Sequence, residues 1–410
     1  MAIRLKGDQI RDVRLKIFEP PRLFEALLSG RHFSELPDIT ARICGICPVA
    51  YQMTSVHAIE RALDTTVDPS VRLLRRLLYA GEWLESHALH VYLLHMPDFL
   101  GYPDAIDMAR AHRTEVENAL RIKKIGNAIM SLLGGREIHP VSVTVGGFYK
   151  VPSKAELEVL IEDLKWGLDQ AIANMRRIGQ FEFPDFEEDY EFVALSHPDE
   201  YPFNEGRLIS SKGLDIDVRE YERHFSERQV KHSNALHSQI RDRGSYLVGA
   251  LARVNLNFSK LPEVAKQAAE DAGLRIPCRN PFKSIIARGA EMIFALHEAL
   301  RIISVYEPPA SPSVPVPARA GSGCAITEAP RGSLYNRYSF DENGLLQSAL
   351  IVPPTSQNQK RIEEDLWTFL PPLSSLPTNE LARRCEQLVR SYDPCISCAT
   401  HFLRVNVERE

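Results

Sequence analysis

The chain has 410 residues, 44% hydrophobic and 25% charged, values near the averages of soluble globular proteins and enough chain to bury a large core without disulfide staples. Its 49 basic and 54 acidic residues leave a formal net charge of -5, so the polybasic field of a nucleic-acid or membrane-surface binder is missing. MAIRLKGDQIRDVRLKIF alternates charge with apolarity where a secretion signal carries a continuous apolar run, and no stretch approaches the length that spans a bilayer.

Residues 3–18 alternate apolar and polar positions about Lys6, Gly7 and Asp8, which predicts a β-hairpin. Apolar residues at helical spacing from Pro69 to His95, among them Val71, Leu74, Leu78, Leu84 and Val91, predict a long helix. The pattern returns from Asp104 to Leu133 before Gly134 and Gly135 end it. A third helix is predicted over Lys154 to Ile178, a fourth over 219–256, and a fifth over Pro281 to Val305, whose several apolar faces mark it as buried. Residues 181–217 are rich in Pro, Asp, Glu and aromatics without sustained periodicity, and read as strands and loops outside a helical core. EPPASPSVPVPA is a connector. Beyond it, TEAPRGSLYNRYSF and LLQSALIVPPTS flank Asp341, Glu342, Asn343 and Gly344 as a hairpin with a glycine turn. Two last helices are predicted over Gln359 to Leu370 and Thr378 to Tyr392. The fold class is mainly α with peripheral β (α+β), a long-helix core with small sheets in the N-terminal and C-terminal portions. With no repeat and no long linker, residues 1–410 read as one domain. It comprises an N-terminal segment 1–60, a helical core 69–306 with the mixed insertion 181–217, a C-terminal segment 314–401 and a tail 402–410.

The seven cysteines, Cys44, Cys47, Cys278, Cys324, Cys385, Cys395 and Cys398, are an odd number and read as thiols or metal ligands sooner than as disulfides. Cys44 and Cys47 in RICGICPVA and Cys395 and Cys398 in DPCISCATH are CxxC pairs. In each, both sulfurs can turn toward one ion, and two pairs supply four soft thiolates suited to zinc, iron or nickel. Because nearly the whole chain separates them, the site is expected deep between N- and C-terminal elements. A closed four-thiolate zinc centre has the same spacing. Cys278, Cys324 and Cys385 lack paired spacing and read as small buried hydrophobes. His57, His87, His90, His95 and His139 read as satisfied core or interface histidines. GSGC, with Gly321 and Gly323, lacks the third glycine and following helix of a dinucleotide site.

Together ARICGICPVA, EAPRG and DPCISCATH resemble the large subunit of nickel-iron hydrogenases. FEPPRLFEALLSGR, GGREIHPVSVTVGGF and VPPTSQN are most similar to the soluble, bidirectional, NAD(P)-linked or sulfhydrogenase branch, and the matches run from Phe18 to His401. The resemblance implies that Cys44, Cys47, Cys395 and Cys398 hold nickel. Cys47 and Cys398 would also bridge to an iron carrying cyanide and carbonyl ligands. It further implies reversible heterolytic cleavage of dihydrogen, in which a Lewis-acidic metal takes the hydride and a base, first of all Cys395, takes the proton. Arg331 of EAPRG would be a fixed charge over the open face of the metals, paired with Asp393. Pro354 and Thr355 would hydrogen-bond the cyanide ligands, and Glu25, His401 and the Ile351 carbonyl would bind magnesium. Outside the resemblance, Arg331 reads as a salt-bridged arginine beside a turn and Asp393 as turn punctuation. VPPTSQN then reads as a strand-ending turn and Glu25 as a solvated helix face.

The sequence also departs from the family. The Arg-x-Glu-Gly motif, whose glutamate relays protons, has no counterpart in MAIRLKGDQ, so either the residues that carry it precede Met1 or the relay uses another group. FLRVNVERE follows His401, where a maturation peptidase trims many members, and is either an uncleaved extension or a retained tail. Tyr51 and Ser86 stand where uptake enzymes carry His and Asp. With no further cysteine cluster for an iron-sulfur relay, the implied partners are a small iron-sulfur subunit and flavin-containing NAD(P) diaphorase subunits. Electrons would pass to NAD(P) or to sulfur or polysulfide, in the cytoplasm. The competing reading is a non-catalytic or sensory hydrogenase-like subunit with a structural metal site.

Overall fold

The computed structural model describes residues 1–7, 9–17, 22–394 and 405–409. The helices Pro69–Ala88, Arg113–Gly134, Ile161–Ile178 and Ser284–Val305 pack on one another as the centre of the molecule. Asp68 starts the first of them by accepting from Ser70 N at 2.7 Å, with Pro69 in the first turn. The helix then widens into a π-helical turn, Leu89–His95. A Cβ added at Gly126 would lie 2.5 Å from Gly81 O, so the Pro69–Ala88 and Arg113–Gly134 helices touch backbone to backbone. In Ser284–Val305, every residue from 284 to 299 is buried except His297, which agrees with the apolar faces read from sequence.

The small sheets lie around this centre. Ala2–Lys6 and Gln9–Arg14 form the N-terminal hairpin, and Ala2 to Leu5 also pair in parallel with 406–409, so the tail supplies a third strand. Gly321–Ala329, Gly332–Phe340 and Leu346–Val352 make a three-stranded antiparallel sheet packed on the Pro48–Ala62 helix. A Cβ at Gly323 would meet Ala58 O at 2.4 Å, and one at Gly321 would meet Ala62 O at 2.2 Å. The glycines of GSGC therefore let a strand lie against a helix.

Several expectations are corrected. The predicted hairpin about Asp341 to Gly344 is there, with Gly321–Ala329 as an additional strand. The helices predicted over Asp104 to Leu133 and Lys154 to Ile178 are each broken, into Ala105–Ala111 and Arg113–Gly134, and into Lys154–Glu158 and Ile161–Ile178. No continuous helix covers 219–256. Phe225–Arg228 and His237–Ile240 pair antiparallel, and only Tyr221–His224 and Ala250–Asn257 are α-helical. Gly244 and Gly249 adopt φ of 100° and 113°, and Phe225, Ile240, Tyr246 and Val248 share a second apolar cluster with Val193, Leu195 and Ile326. Aromatic and β-branched residues on such a pleated surface favour strands. The helix expected from Gln359 begins earlier, at Pro354. Among the described residues no helix is long and apolar enough to cross a membrane.

Candidate metal centre

Cys44 and Cys47 occupy the link between a 3-10 turn, Ala41–Ile43, and the Pro48–Ala62 helix. Both are buried. Cys44 Sγ accepts from Ile46 N and Cys47 N, each at 3.4 Å, and such N–H donors favour the thiolate form. Glu82, from the Pro69–Ala88 helix, accepts from Val49 N at 2.6 Å and Ala50 N at 3.1 Å. First-turn amides lack intrahelical acceptors, and the carboxylate also meets the positive end of the helix dipole. The turn that carries both sulfurs is thereby fixed to a neighbouring helix. Burial pushes the Glu82 carboxyl well above the usual range, and the charge of Cys44 adds to this. Glu85, nearly one turn further on, pairs with Lys123 Nζ at 2.5 Å. Burial raises it, Lys123 opposes the shift, and the fields of Arg331 and Cys44 both reach it.

Arg331 sits in the turn between Gly321–Ala329 and Gly332–Phe340 and is 3% exposed. Its turn is held from below by Arg253, whose Nη1 donates to Ala329 O at 2.8 Å and whose Nη2 donates to Pro330 O at 2.9 Å. The same guanidinium makes two 2.7 Å bonds to Glu291 and one of 3.1 Å to Glu328, and lies 4.3 Å over the Trp83 ring. Burial pushes Glu291 up, yet Arg253 and then His87 outweigh it and bring the carboxyl down to about 2. Gly249 and Gly332 close the arrangement: a Cβ at Gly249 would lie 2.9 Å from Arg331 O. Only a residue without a side chain fits there at that backbone angle.

Arg331 Nε donates to Asp393 Oδ1 at 3.2 Å. Asp393 is fully buried with φ at 48°, a left-handed conformation that Asp tolerates better than most residues. Arg288 Nε lies 3.9 Å from its Oδ2 and His90 Nε2 3.9 Å from its Oδ1. His90 Nε2 also donates to Arg390 O at 2.8 Å, so it is an anchored core histidine, as is His87 on Glu291 at 2.9 Å.

Pro354 and Thr355 open the Pro354–Phe369 helix, and both are buried. VPPTSQN is a helix start and not simply the turn that ends a strand. Gln357 Nε2 donates to Ser333 O at 2.5 Å, and Asn358 Oδ1 accepts from Val248 N at 2.9 Å, which brings this helix end beside the Arg331 turn. Glu25 is half-buried, and its Oε1 accepts from Ile351 N at 2.8 Å. Cys395, Cys398 and His401 lie outside the described residues.

The structure thus gathers the first cysteine pair, Glu82, Glu85, Arg331, Asp393 and the start of the Pro354–Phe369 helix. Two buried sulfur donors at one turn fit a thiophilic metal. Sequence reasoning missed Glu82, Glu85, Arg253 and Glu291. Their signal was available as carboxylates and a guanidinium at core-facing positions of apolar helices, in GEWLES, ALARVNL and GAEMIF.

A solved NAD+-reducing NiFe hydrogenase in its H2-reduced state matches with a TM-score of 0.86 over 96% of this chain and 94% of that one, at 24% identity. The fold is that of a nickel-iron hydrogenase large subunit. Residues 22–118 match the family model described as nickel-dependent hydrogenase. Sulfhydrogenase 2 subunit alpha of Pyrococcus furiosus is 36% identical across 98% of this chain and 96% of that subunit. Sulfhydrogenase 1 subunit alpha of the same organism is 33% identical across 99% and 95%. This chain belongs to the nickel-dependent hydrogenase family, as a large, catalytic subunit and an oxidoreductase acting on dihydrogen.

Proposed function

We propose that Cys44, Cys47, Cys395 and Cys398 would hold the nickel and the iron, the iron with cyanide and carbonyl ligands, and that Pro354 and Thr355 would supply hydrogen bonds to the cyanide. When bound, the metal pair supplies the Lewis acidity that polarises dihydrogen and accepts its electrons. Arg331 contributes a charge that cannot be lost at ordinary pH. Asp393 takes one edge of that guanidinium and so orients the other, while Arg253 fixes the turn beneath it. Glu82 sets the Cys44–Cys47 turn against the helix, and Cys395 Sγ receives the proton. Glu25, the Ile351 carbonyl and His401 hold a magnesium. Electrons leave to a small iron-sulfur subunit and on to diaphorase subunits that serve NAD(P) or sulfur, in the cytoplasm. The relatives' names support this route, since they include sulfhydrogenase alpha subunits and an NAD-reducing hydrogenase subunit.

The observation that carries the reading is the Arg331–Asp393 ion pair, because Asp393 precedes the second cysteine motif by one proline while the charges of Arg331 and Cys44 both act on Glu85. The test is metal analysis with an infrared spectrum of the purified complex. About one nickel and one iron per chain with carbonyl and cyanide bands is expected. Zinc in place of the nickel and iron, or no metal at all, overturns it.

A further inference from the structure

Away from that centre, three potential ligands converge between the segment after Phe225–Arg228, the strand His237–Ile240 and the Pro354–Phe369 helix. The ligand atoms of His232, His237 and Glu363 all lie within 4.8 Å of one another. His232 Nε2 is 2.8 Å from Glu363 Oε1, and His237 Nε2 is 3.6 Å from Glu363 Oε2. His237 is 8% exposed, and its Nε2 is buried without a hydrogen-bond partner. A buried ring nitrogen in that condition is a cost that native structures seldom carry unexplained. It is aimed at a carboxylate too distant for a hydrogen bond and close enough to share a cation.

We propose that His232, His237 and Glu363 form a divalent-cation site of the zinc class, with water completing the coordination. Two imidazoles and one carboxylate select a borderline first-row dication over magnesium or calcium, which favour oxygen. The side chains of His232 and Glu363 are 18% and 14% exposed, which leaves an entry path for the ion. Burial, then His232, lowers His237 to about 4, and burial raises Glu363. The ring therefore needs no proton removed before it can bind.

Among the described residues, the other cluster of this kind does not qualify. Around His197, Glu200 is held by Arg72 and Arg76, and Glu205 by Arg72, so guanidinium groups already supply the positive charge.

An ion here would act as a clamp. Glu363 Oε1 also accepts from Leu15 N at 2.8 Å, and Gln359 Nε2 donates to Leu15 O at 2.9 Å. Ile17 N donates to Ser233 Oγ at 3.3 Å, and Asn234 N to Ile17 O at 2.8 Å. One bound ion would thus lock the N-terminal segment and the loop before His237 onto the helix that starts at Pro354. Glu363 is eight residues along that helix from Thr355, about 12 Å at the α-helical rise.

The test is a zinc titration of the assembled enzyme, read by zinc and nickel content after desalting and by the visible spectrum with cobalt in place of zinc. Wild type is expected to take up about one zinc per chain beyond its nickel, with the cobalt spectrum of a four-coordinate nitrogen and oxygen site. His237→Ala and His232→Gln are each expected to weaken uptake at least about tenfold, since losing even a hydrogen-bonding partner of a ligand costs about 10–100-fold in affinity, with nickel unchanged. Should His237→Ala fail to fold, the half-buried His232→Gln decides alone. No additional zinc in wild type, or equal uptake in the variants, overturns the site.

Discussion

Arg331 Nε lies 3.2 Å from Asp393 Oδ1, and the two residues are 3% and 0% exposed. This pair joins a hairpin turn to the end of the last helix, two elements that the sequence holds 62 residues apart. It is the point where the N-terminal, central and C-terminal parts of the chain meet. The charge of Arg331 acts on the buried Glu85 carboxyl, while Arg288 Nε and His90 Nε2 each lie 3.9 Å from Asp393.

Arg331→Lys keeps the charge and loses the fork. One ammonium on a flexible stem cannot both satisfy Asp393 and present a fixed second edge toward the cysteines. Hydrogen-dependent dye reduction should fall by about a hundredfold or more, the usual cost of removing a preorganised donor, with nickel content retained. Turnover near the wild-type value would show that the guanidinium has no part in the chemistry.

Glu82→Ala removes the carboxylate bonded to Val49 N and Ala50 N. Leaving buried amides unsatisfied costs about 1–3 kcal/mol, and the Cys44–Cys47 turn loses its attachment to the Pro69–Ala88 helix. The variant is expected to unfold at lower denaturant and to lose nickel faster during dialysis against a chelator. Unchanged nickel retention would mean that the turn is rigid without Glu82.

How much of this could be read beforehand follows the physics of each signal. The helices at Pro69 and Ser284 were legible because their apolar periodicity is long and their starts carry Asp68 or a proline. The 219–256 segment misled because apolar spacing over short runs fits strand and helix alike, and positive-φ glycines at 244 and 249 decide between them. Cys44, Arg331 and Asp393 were legible through motifs. Arg253 was not, because its role depends on Ala329, Pro330 and Glu291, which meet it only in three dimensions.

Arg253→Met should destabilise strongly. It leaves Glu291 and Glu328 as buried carboxylates without their shared cation, a loss of about 3–5 kcal/mol for a broken buried pair. Because the same side chain holds the Ala329 and Pro330 carbonyls, whatever protein folds should also turn over more slowly. Chemical denaturation and specific activity per nickel are the measurements, and a normal value for either separates the two roles.

Stability should also fall on the acid side of neutrality through His90. Burial first, then Arg288, holds its pKa well below 6.5 in the folded chain, although the Arg390 carbonyl pulls the other way. The unfolded chain keeps a value near 6.5. Below that pH the unfolded state binds a proton that the folded state refuses, so the contribution is complete above about pH 6.5 and lost as pH drops. At one pH unit below the unfolded value the loss is about 1.4 kcal/mol for one such group. His90→Gln removes the titration while its amide can still donate to Arg390 O. Its stability should decline less than that of wild type between pH 7.5 and 5.5, by about that amount. Equal declines in denaturant melts would mean that His90 titrates alike in the folded and unfolded states.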